Sequence, residues 1–201
     1  MKKSSPKKLR YILFNKPYGV LCQFTDKEGT KTLGDYRPFP NDVYPAGRLD
    51  ADSEGLVLLT NDGLLKHFLI EPRYQHPRTY LVQVEHSPTG EVINCLRAGV
   101  IIERRKTLPA EVQLLSQEPI LPPRSVPIRS RKTVPTAWLK ITLREGRNRQ
   151  VKKMTSAVGH PTLRLVRIAI GPLTLGALKP GESRELSEKE VEKLRQFIHV
   201  Q

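Results

Sequence analysis

Acidic residues are few in this 201-residue sequence: 20 aspartates and glutamates stand against 34 lysines and arginines, which leaves a formal net charge of +14. So basic a balance is typical of proteins that bind a polyanion, and nucleic acid is the commonest polyanion. A protein of the membrane surface, or one whose charge only keeps it in solution, is the alternative interpretation. Aromatic residues are also scarce, at 6%, which argues against a surface on which many bases stack.

Long apolar runs and paired cysteines are missing too. No run approaches the roughly 20 apolar residues of a membrane span, and no apolar signal-peptide core follows the basic first eight residues. The two cysteines, Cys22 and Cys95, lie far apart, and no cysteine or histidine pair has the spacing of zinc ligands. We therefore expect a cytoplasmic protein that has no membrane contact and binds no metal.

The motifs of the common cofactor-dependent enzymes are absent as well. No two glycines are spaced Gly-x-Gly, and the sequence contains neither a Walker-type phosphate loop nor the Gly-x-Ser-x-Gly and His-Glu-x-x-His signatures. An enzyme of this sequence is therefore expected to work without metal, nucleotide or nicotinamide. What is left is a carboxylate that acts on a nucleic acid as an acid, a base or a nucleophile.

The hydrophobic pattern predicts many strands and few helices. Short apolar segments between turn residues predict strands over residues 11–14, 20–24, 43–46, 56–60, 78–84, 100–102, 111–115, 138–143 and 163–168. Capping residues and apolar spacing predict helices over 64–70, 91–98, 148–158 and 187–198. Since these elements do not alternate as in βαβ units, we expect an α+β fold with a large mixed, mostly antiparallel sheet and flanking helices.

The chain is predicted to contain a single two-lobed domain over residues 10–201, after a flexible basic arm at residues 1–9. The arm either contacts RNA or has no role. Residues 116–136 contain five prolines and are therefore predicted to form an extended surface loop rather than regular structure.

The densest cluster of charges lies in residues 47–63. There a glycine-bounded turn carries Arg48 and three carboxylates, those of Asp50, Asp52 and Glu54, and leads directly into an apolar strand. A hydrophobic core has no use for such a concentration of charge, whereas a site that needs one anionic side chain at the mouth of a sheet does. Glu54 has no assigned role in this interpretation.

A second cluster, residues 144–153, contains five basic side chains. The predicted helix places Arg149, Lys152 and Lys153 on one side and apolar residues on the other. Its first turn adds backbone N–H groups and the positive end of the helix dipole, which suit a phosphate. A solvated basic face is the alternative, but the Gly-Arg-Asn-Arg sequence at the helix start favours a nucleic-acid contact.

These two clusters resemble the motifs of a known family. Residues 47–63, which read Gly-Arg-Leu-Asp-x-Asp-Ser-x-Gly-Leu-x-Leu-Leu-Thr-Asn-Asp-Gly, are similar to the signature of the pseudouridine synthases of the RsuA/RluB/RluE/RluF type. Further blocks match in the same order at residues 16–20, 79–82, and 145–154 together with 165–171. The resemblance extends over residues 11–186.

The resemblance implies the pseudouridine synthase fold with a central catalytic cleft. It also implies the cofactor-free isomerisation of a specific uridine in 23S ribosomal RNA to pseudouridine, by a monomer. Many relatives carry an S4 RNA-binding domain at the N-terminus, whereas none is expected before the first matching block here. RNA docking is therefore expected to fall to the catalytic domain and the basic arm.

The resemblance also implies the roles of the main site residues. Asp50 matches the catalytic aspartate, which attacks either C1′ of the ribose or C6 of the base. Lys152 matches the cation that pairs with this aspartate, at a position where many relatives have arginine. Tyr80 matches the tyrosine that stacks on the target base, Leu165 the residue on the other side of the ring, and Arg48 the arginine that enters the RNA stack when the uridine flips out. Without the resemblance, Tyr80 and Leu165 are interpreted as core residues and Arg48 as a phosphate contact.

Further residues complete the predicted site. Leu49 is expected to contact the substrate. Phosphate contacts are expected from Arg147, Arg149 and Arg167, with membership of a buried ion pair as the alternative for Arg167. Asp52 is expected to support the turn that presents the catalytic carboxylate, through hydrogen bonds from its side chain to the backbone.

A catalytically silent RNA-binding or ribosome-assembly factor is the alternative function, and the basic charge supports it equally. A pure binder, however, has no need of a carboxylate in the middle of a basic cleft, since that carboxylate repels phosphate. An RNA methyltransferase is disfavoured because the sequence has no glycine loop for a methyl donor.

Overall fold

The structure, a computed structural model, describes residues 8–36, 38–128 and 134–199. The strands in this part of the chain are β1 (Tyr11–Lys16), β2 (Tyr44–Pro45), β3 (Glu54–Thr60), β4 (Arg78–Glu85), β5 (Ile101–Ile102), β6 (Arg105–Lys106), β7 (Glu111–Leu114), β8 (Thr136–Leu143), β9 (Thr162–Ile170), β10 (Leu173–Thr174) and β11 (Ser183–Glu185). The α-helices are α1 (Gly63–Ile70), α2 (Gly90–Ala98), α3 (Gln150–Ala157) and α4 (Glu188–His199). Of the predicted basic arm, only Lys8 and Leu9 are among the described residues.

Nine of the described strands form one sheet in the order β11-β1-β3-β9-β4-β8-β7, with β2 beside β3 and β10 beside β9. Every neighbouring pair in this sheet is antiparallel except β3 and β9, which are parallel. The predicted α+β fold with a large, mostly antiparallel sheet is therefore confirmed. Strands β5 and β6 form a separate hairpin. None of the described helices has the length and hydropathy that crossing a membrane requires.

Strand β3 lies at the centre of the sheet, and all seven of its residues are buried, as an unbroken apolar run predicts for a strand covered on both faces. Its parallel contact with β9 begins where Glu54 lies opposite Val166. A Cβ atom at Gly55 would lie 2.3 Å from the carbonyl oxygen of Arg167, and the φ angle there is +106°. Only glycine lets the backbones of β3 and β9 come so close. The turn before β3 therefore lies at the junction between the two halves of the sheet.

Predicted capping residues begin three of the helices. At α1, the Asp62 carboxylate accepts a hydrogen bond from the N–H of Leu65 at 3.0 Å. Thr89 caps α2 in the same way. At α4 the predicted capping box is present: the carboxylate of Glu190 accepts from the N–H of Ser187 at 2.9 Å, and the hydroxyl of Ser187 accepts in return at 3.4 Å. Local side-chain chemistry therefore determines where these helices begin.

Two predicted elements differ from the structure. Residues 20–24 form no strand, although an isolated bridge joins Leu21 to Thr32 and backbone hydrogen bonds link the segment to residues 31–33. The carbonyl oxygen of Val20 accepts from the buried Lys16. Helix α3 begins later than predicted, because Arg149 has a φ angle of 52° and a right-handed helix does not include a residue in the left-handed region.

Three hydrophobic clusters pack on the sheet. One lies between α2, α3 and the strands β4, β7 and β8. The second lies beneath α1 and α4, and the third covers the other face of β1 and β3. Tyr80 of β4 packs against both the first and the third cluster. Its ring therefore marks the place where the two halves of the sheet meet.

A buried ion pair joins β3 to β9. The guanidinium of Arg164 donates to both carboxylate oxygens of Glu54, at 2.9 and 2.8 Å, and the two side chains are only 9% and 6% exposed. One nitrogen of Arg164 also donates to the carbonyl oxygen of Pro122, in the predicted proline-rich loop. Glu54 is therefore a structural residue that anchors both the sheet junction and this loop.

We expect Arg164→Met to lower the free energy of unfolding by about 3–5 kcal/mol, since it leaves a buried carboxylate without its partner. The matched control is Arg184→Met, which breaks the exposed pair with Glu190 and should cost about 1 kcal/mol or less. Urea denaturation of both variants measures the difference. Equal losses in the two variants would show that the Glu54–Arg164 pair contributes no more than a surface pair.

Candidate active site

Asp50 lies in the tight turn that precedes β3, where the N–H of Ser53 donates to the Asp50 carbonyl oxygen at 3.1 Å. Its side chain is 35% exposed and lies at the edge of a cleft of about 670 Å³. The cleft is lined by this turn, by Tyr80 of β4, by Leu165 of β9 and by residues 145–151. The structure therefore brings together two sequence clusters that are about a hundred residues apart.

The apolar wall of the cleft consists of the predicted aromatic and aliphatic residues. Leu49 and Leu165 are 8% and 6% exposed, and Tyr80 is half-buried. The register of β4 and β9 places Val82 opposite Leu165, so Tyr80, two residues away on the same face of β4, is close to Leu165. A flat base can lie against this wall, although the stacking roles of these residues stay predictions.

Beside the cleft, Asp52 joins the turn that carries Asp50 to the start of α3. The guanidinium of Arg149 donates to both oxygens of the Asp52 carboxylate, at 3.1 and 2.9 Å. The ammonium of Lys152 lies 2.7 Å from the same carboxylate and also donates to the Asp52 carbonyl oxygen. Partial burial opposes ionisation, but the hydrogen bonds from these two cations outweigh it and lower the pKa of Asp52 below its usual value. Asp52 is therefore ionised at neutral pH.

The predicted pairing of Lys152 with Asp50 is replaced in the structure by pairing with Asp52. A lysine carries one compact charge and cannot bridge two carboxylates as an arginine fork can. The cation closest to Asp50 among the described ion pairs is Arg149, at 3.8 Å. Asp52 also supports the turn differently from the prediction, through ion pairs to α3 rather than hydrogen bonds to its own backbone. A catalytic role for Lys152 stays a prediction.

Arg149 has an unusual backbone that suits its contacts. Its φ angle of 52° is rare for a residue with a side chain and costs about 1–2 kcal/mol. It is the N-cap of α3, and no side chain caps the helix there. The same residue makes the bidentate contact with Asp52, so the strain lies at the point where the two clusters join.

The other predicted arginines have different surroundings. Arg48 is exposed at the edge of the cleft and forms no ion pair with a described residue, so it is available to RNA. Arg147 lines the cleft, but two of its nitrogens donate to the carbonyl oxygens of Ile102 and Arg105. Arg167 is only 3% exposed, because β9 is a central strand, and its Nε donates to a backbone carbonyl. Its burial leaves almost no surface for the predicted phosphate contact, and the ion pairs between described residues include none of Arg167.

Lys16 is a site residue that sequence reasoning missed. It is fully buried at the end of β1, and its ammonium donates to the carbonyl oxygens of Val20, Pro17 and Ala51, at 2.7, 3.0 and 3.4 Å. Ala51 directly follows Asp50, so this hydrogen bond connects Lys16 to the turn that carries the candidate nucleophile. The sequence feature that could have identified this residue is a lysine at the end of an apolar strand, directly before a Pro-Tyr-Gly turn.

Burial lowers the pKa of Lys16 to about 8, whereas a lysine of the unfolded chain titrates near 10.4. Between these values the unfolded chain binds more protons than the folded one, so the free energy of unfolding rises with pH. We expect the wild type to gain about 1–3 kcal/mol relative to Lys16→Met from pH 8 to pH 10.5. Urea denaturation at several pH values measures this gain, and a difference that stays constant over the window would contradict it.

Two further observations concern other possible sites. A concavity of about 840 Å³, larger than the cleft, lies between the start of β1 and α4, but it contains none of the candidate catalytic residues. Within the described part of the chain, no group of three or more histidine, cysteine, aspartate and glutamate side chains could hold a metal ion. The cleft therefore remains the candidate active site.

A carboxylate in a basic cleft, at the junction of a large α+β sheet, defines the class of protein. The sequence profile of the RNA pseudouridylate synthases matches residues 10–157, and the chain belongs to this family. The resemblance inferred from the motifs is confirmed, and the chain is an RNA pseudouridine synthase.

Particular relatives agree with this assignment. The ribosomal large subunit pseudouridine synthase E of Vibrio vulnificus is 53% identical over 178 residues, which are 89% of this chain and 75% of that protein. The protein of the same name from Xanthomonas axonopodis pv. citri is 55% identical over 84% of this chain and 90% of its own length. A crystal structure of a pseudouridylate synthase has a TM-score of 0.79 and 30% identity, and the match covers 94% of this chain and 75% of that one.

We expect Asp52→Asn to reduce kcat about ten-fold or more without raising KM for RNA. The variant releases Arg149 and Lys152, so the turn that carries Asp50 loses its contacts with α3, and small displacements of catalytic groups are costly. RNA binding should not weaken, because the cleft loses a negative charge. Steady-state kinetics separate the two effects, and Asp52→Glu, which keeps the charge, should restore part of kcat. A raised KM with an unchanged kcat would show that Asp52 does not position the turn.

Proposed function

We propose that this protein converts one uridine of 23S ribosomal RNA to pseudouridine, with Asp50 as the nucleophile. The observation that carries the proposal is the position of the Asp50 carboxylate, at the edge of a cleft with an apolar wall and a basic rim. The names of the two synthase E relatives support a target in the large ribosomal subunit. The protein acts as a monomer in the cytoplasm, on RNA that it binds through its catalytic domain.

The reaction is an isomerisation, so every atom of the uridine is kept. The Asp50 carboxylate adds to C1′ of the ribose or to C6 of the base, and the glycosidic bond between C1′ and N1 breaks. The detached uracil turns between Tyr80 and Leu165 until C5 faces C1′. A carbon–carbon bond then forms, the bond to Asp50 breaks, and the proton on C5 leaves while N1 gains one. No external oxidant or group donor is needed.

The residues around Asp50 supply position and charge. Arg149, 3.8 Å away, places a positive charge beside the carboxylate that makes the attack. Leu49 and Leu165 exclude water from the ring, and Arg48 fills the space that the flipped uridine leaves in the RNA stack. Extruding a base costs a few kcal/mol, and contacts made only with the flipped-out nucleotide offset this cost.

We expect Asp50→Asn to abolish the release of tritium from RNA labelled at uridine C5, because an amide is not a nucleophile at this carbon. Folding and RNA affinity should be almost unchanged, since the carboxylate is partly exposed and contributes no attraction for phosphate. The matched control is Glu91→Gln on the exposed first turn of α2, which also removes one negative charge and should release tritium at the wild-type rate.

The same assay separates this function from that of a silent RNA-binding factor. If the wild type bound ribosomal RNA but released no tritium, the protein would be a binder on a synthase fold. If Asp50→Asn released tritium as the wild type does, the nucleophile would lie elsewhere. Mapping pseudouridine in ribosomal RNA from cells that lack the protein identifies the uridine that it modifies.

A further inference from the structure

The hairpin of β5 and β6 is a basic feature that the catalytic cleft does not explain. It stands apart from the large sheet, and its three consecutive cations, Arg104, Arg105 and Lys106, are all exposed. The two turn residues, Glu103 and Arg104, both have left-handed φ angles, 50° and 63°. Two-residue turns of this kind favour Asn-Gly, because a larger side chain is strained in the left-handed region. The chain therefore keeps charged side chains at this tip despite the strain.

The hairpin is tied to the rim of the cleft. Arg147, which lines the cleft, donates to the carbonyl oxygens of Ile102 at 2.8 Å and Arg105 at 3.2 Å. The ammonium of Lys153 in α3 lies 2.6 Å from the carboxylate of Glu103. This contact neutralises the one acidic side chain of the tip. The three remaining cations are therefore held at a fixed place beside the cleft, with no carboxylate partner among the described ion pairs.

A groove of about 500 Å³ runs between the hairpin and α3. Its hairpin side includes Ile101, whose side chain is unusually exposed for a large aliphatic residue, at 69%. Its helix side includes Lys152 and Ser156. Since Val151 lines the cleft and the next residue, Lys152, lines the groove, the two adjoin across the first turn of α3.

We propose that the hairpin and this groove bind the single-stranded RNA next to the target uridine. The RNA runs from the cleft over the first turn of α3 and onto the hairpin. Its phosphates contact Arg104, Arg105 and Lys106, and one base lies in the groove against Ile101. The inference rests on the proposed function, in that the cleft holds the target uridine. Charge complementarity favours RNA as the occupant, because the surface is positively charged and adjoins a cleft that receives RNA.

The test compares two double variants that each remove two positive charges. Arg104→Asn/Arg105→Gln changes the hairpin, with asparagine at the left-handed position because it tolerates that conformation. Lys189→Gln/Lys193→Gln changes exposed residues of α4, a helix that packs in a different hydrophobic cluster from the hairpin. Circular dichroism and thermal melting establish that both variants fold.

Dissociation constants for a 23S ribosomal RNA transcript are then measured over a range of salt concentrations. Each lost phosphate contact with a single strand reduces the slope of log affinity against log salt by about 0.7. We expect the hairpin variant to lose about 1.4 from this slope and to bind at least ten-fold more weakly at low salt, whereas the α4 variant keeps the wild-type slope. At saturating RNA, kcat of the hairpin variant should equal that of the wild type.

Two outcomes would overturn the inference. Equal slopes for the hairpin and α4 variants would show that the hairpin cations do not contact RNA, and would leave an acidic protein as the partner of this surface. A lower kcat with unchanged affinity would show that the hairpin acts on the catalytic turn instead. Failure of the proposed function looks different, because the wild type would then form no pseudouridine while the salt slopes still decided the role of the hairpin.

Discussion

The ion pairs of Asp52 hold together two segments that are 97 residues apart in the chain. One segment is the turn that carries Asp50, and the other is the start of α3 with Arg149 and Lys152. The turn is also held at the carbonyl oxygen of Ala51, which accepts from the N–H of Gly19 and from the ammonium of Lys16. Because Asp52 takes two cations at once, Asp50 is left partly exposed with one arginine nearby. This arrangement suits the proposed nucleophile, whose carboxylate is held in place without being enclosed by a close salt bridge.

The high positive charge of the chain is divided between structure and binding. Arg164 and Arg167 are buried, the first paired with Glu54 and the second bound to a backbone carbonyl. Lys16 and Arg147 also donate to backbone carbonyls. These cations stabilise the sheet junction and the loops around the cleft. Those still exposed near the cleft, such as Arg48, are the ones available for the proposed contact with RNA, so net charge alone overstates the size of that surface.

Much of the fold could be predicted because it depends on short-range chemistry. The apolar run of β3 and the capping residues of α1, α2 and α4 act within a few residues of their own position, and the structure confirms them. The start of α3 could not be predicted in this way, since the left-handed backbone of Arg149 accompanies a contact with Asp52. Residues 20–24 have the pattern of a strand, but the buried Lys16 binds the carbonyl oxygen of Val20, and the segment forms only an isolated bridge. Both errors come from partners that are distant in sequence or hidden in the core.

The sequence by itself determined the family, the α+β class and the identity of the candidate nucleophile, because the motif around Asp50 is continuous and chemically distinctive. Only the tertiary structure decided which cation pairs with which carboxylate, since Lys152 and Arg149 reach the catalytic turn through space. It also decided that Arg167 is buried while Arg48 is exposed, although both are arginines in family motifs. The physical reason is the same in each case. The role of a charged side chain depends on its burial and its partners, and these depend on how distant segments pack.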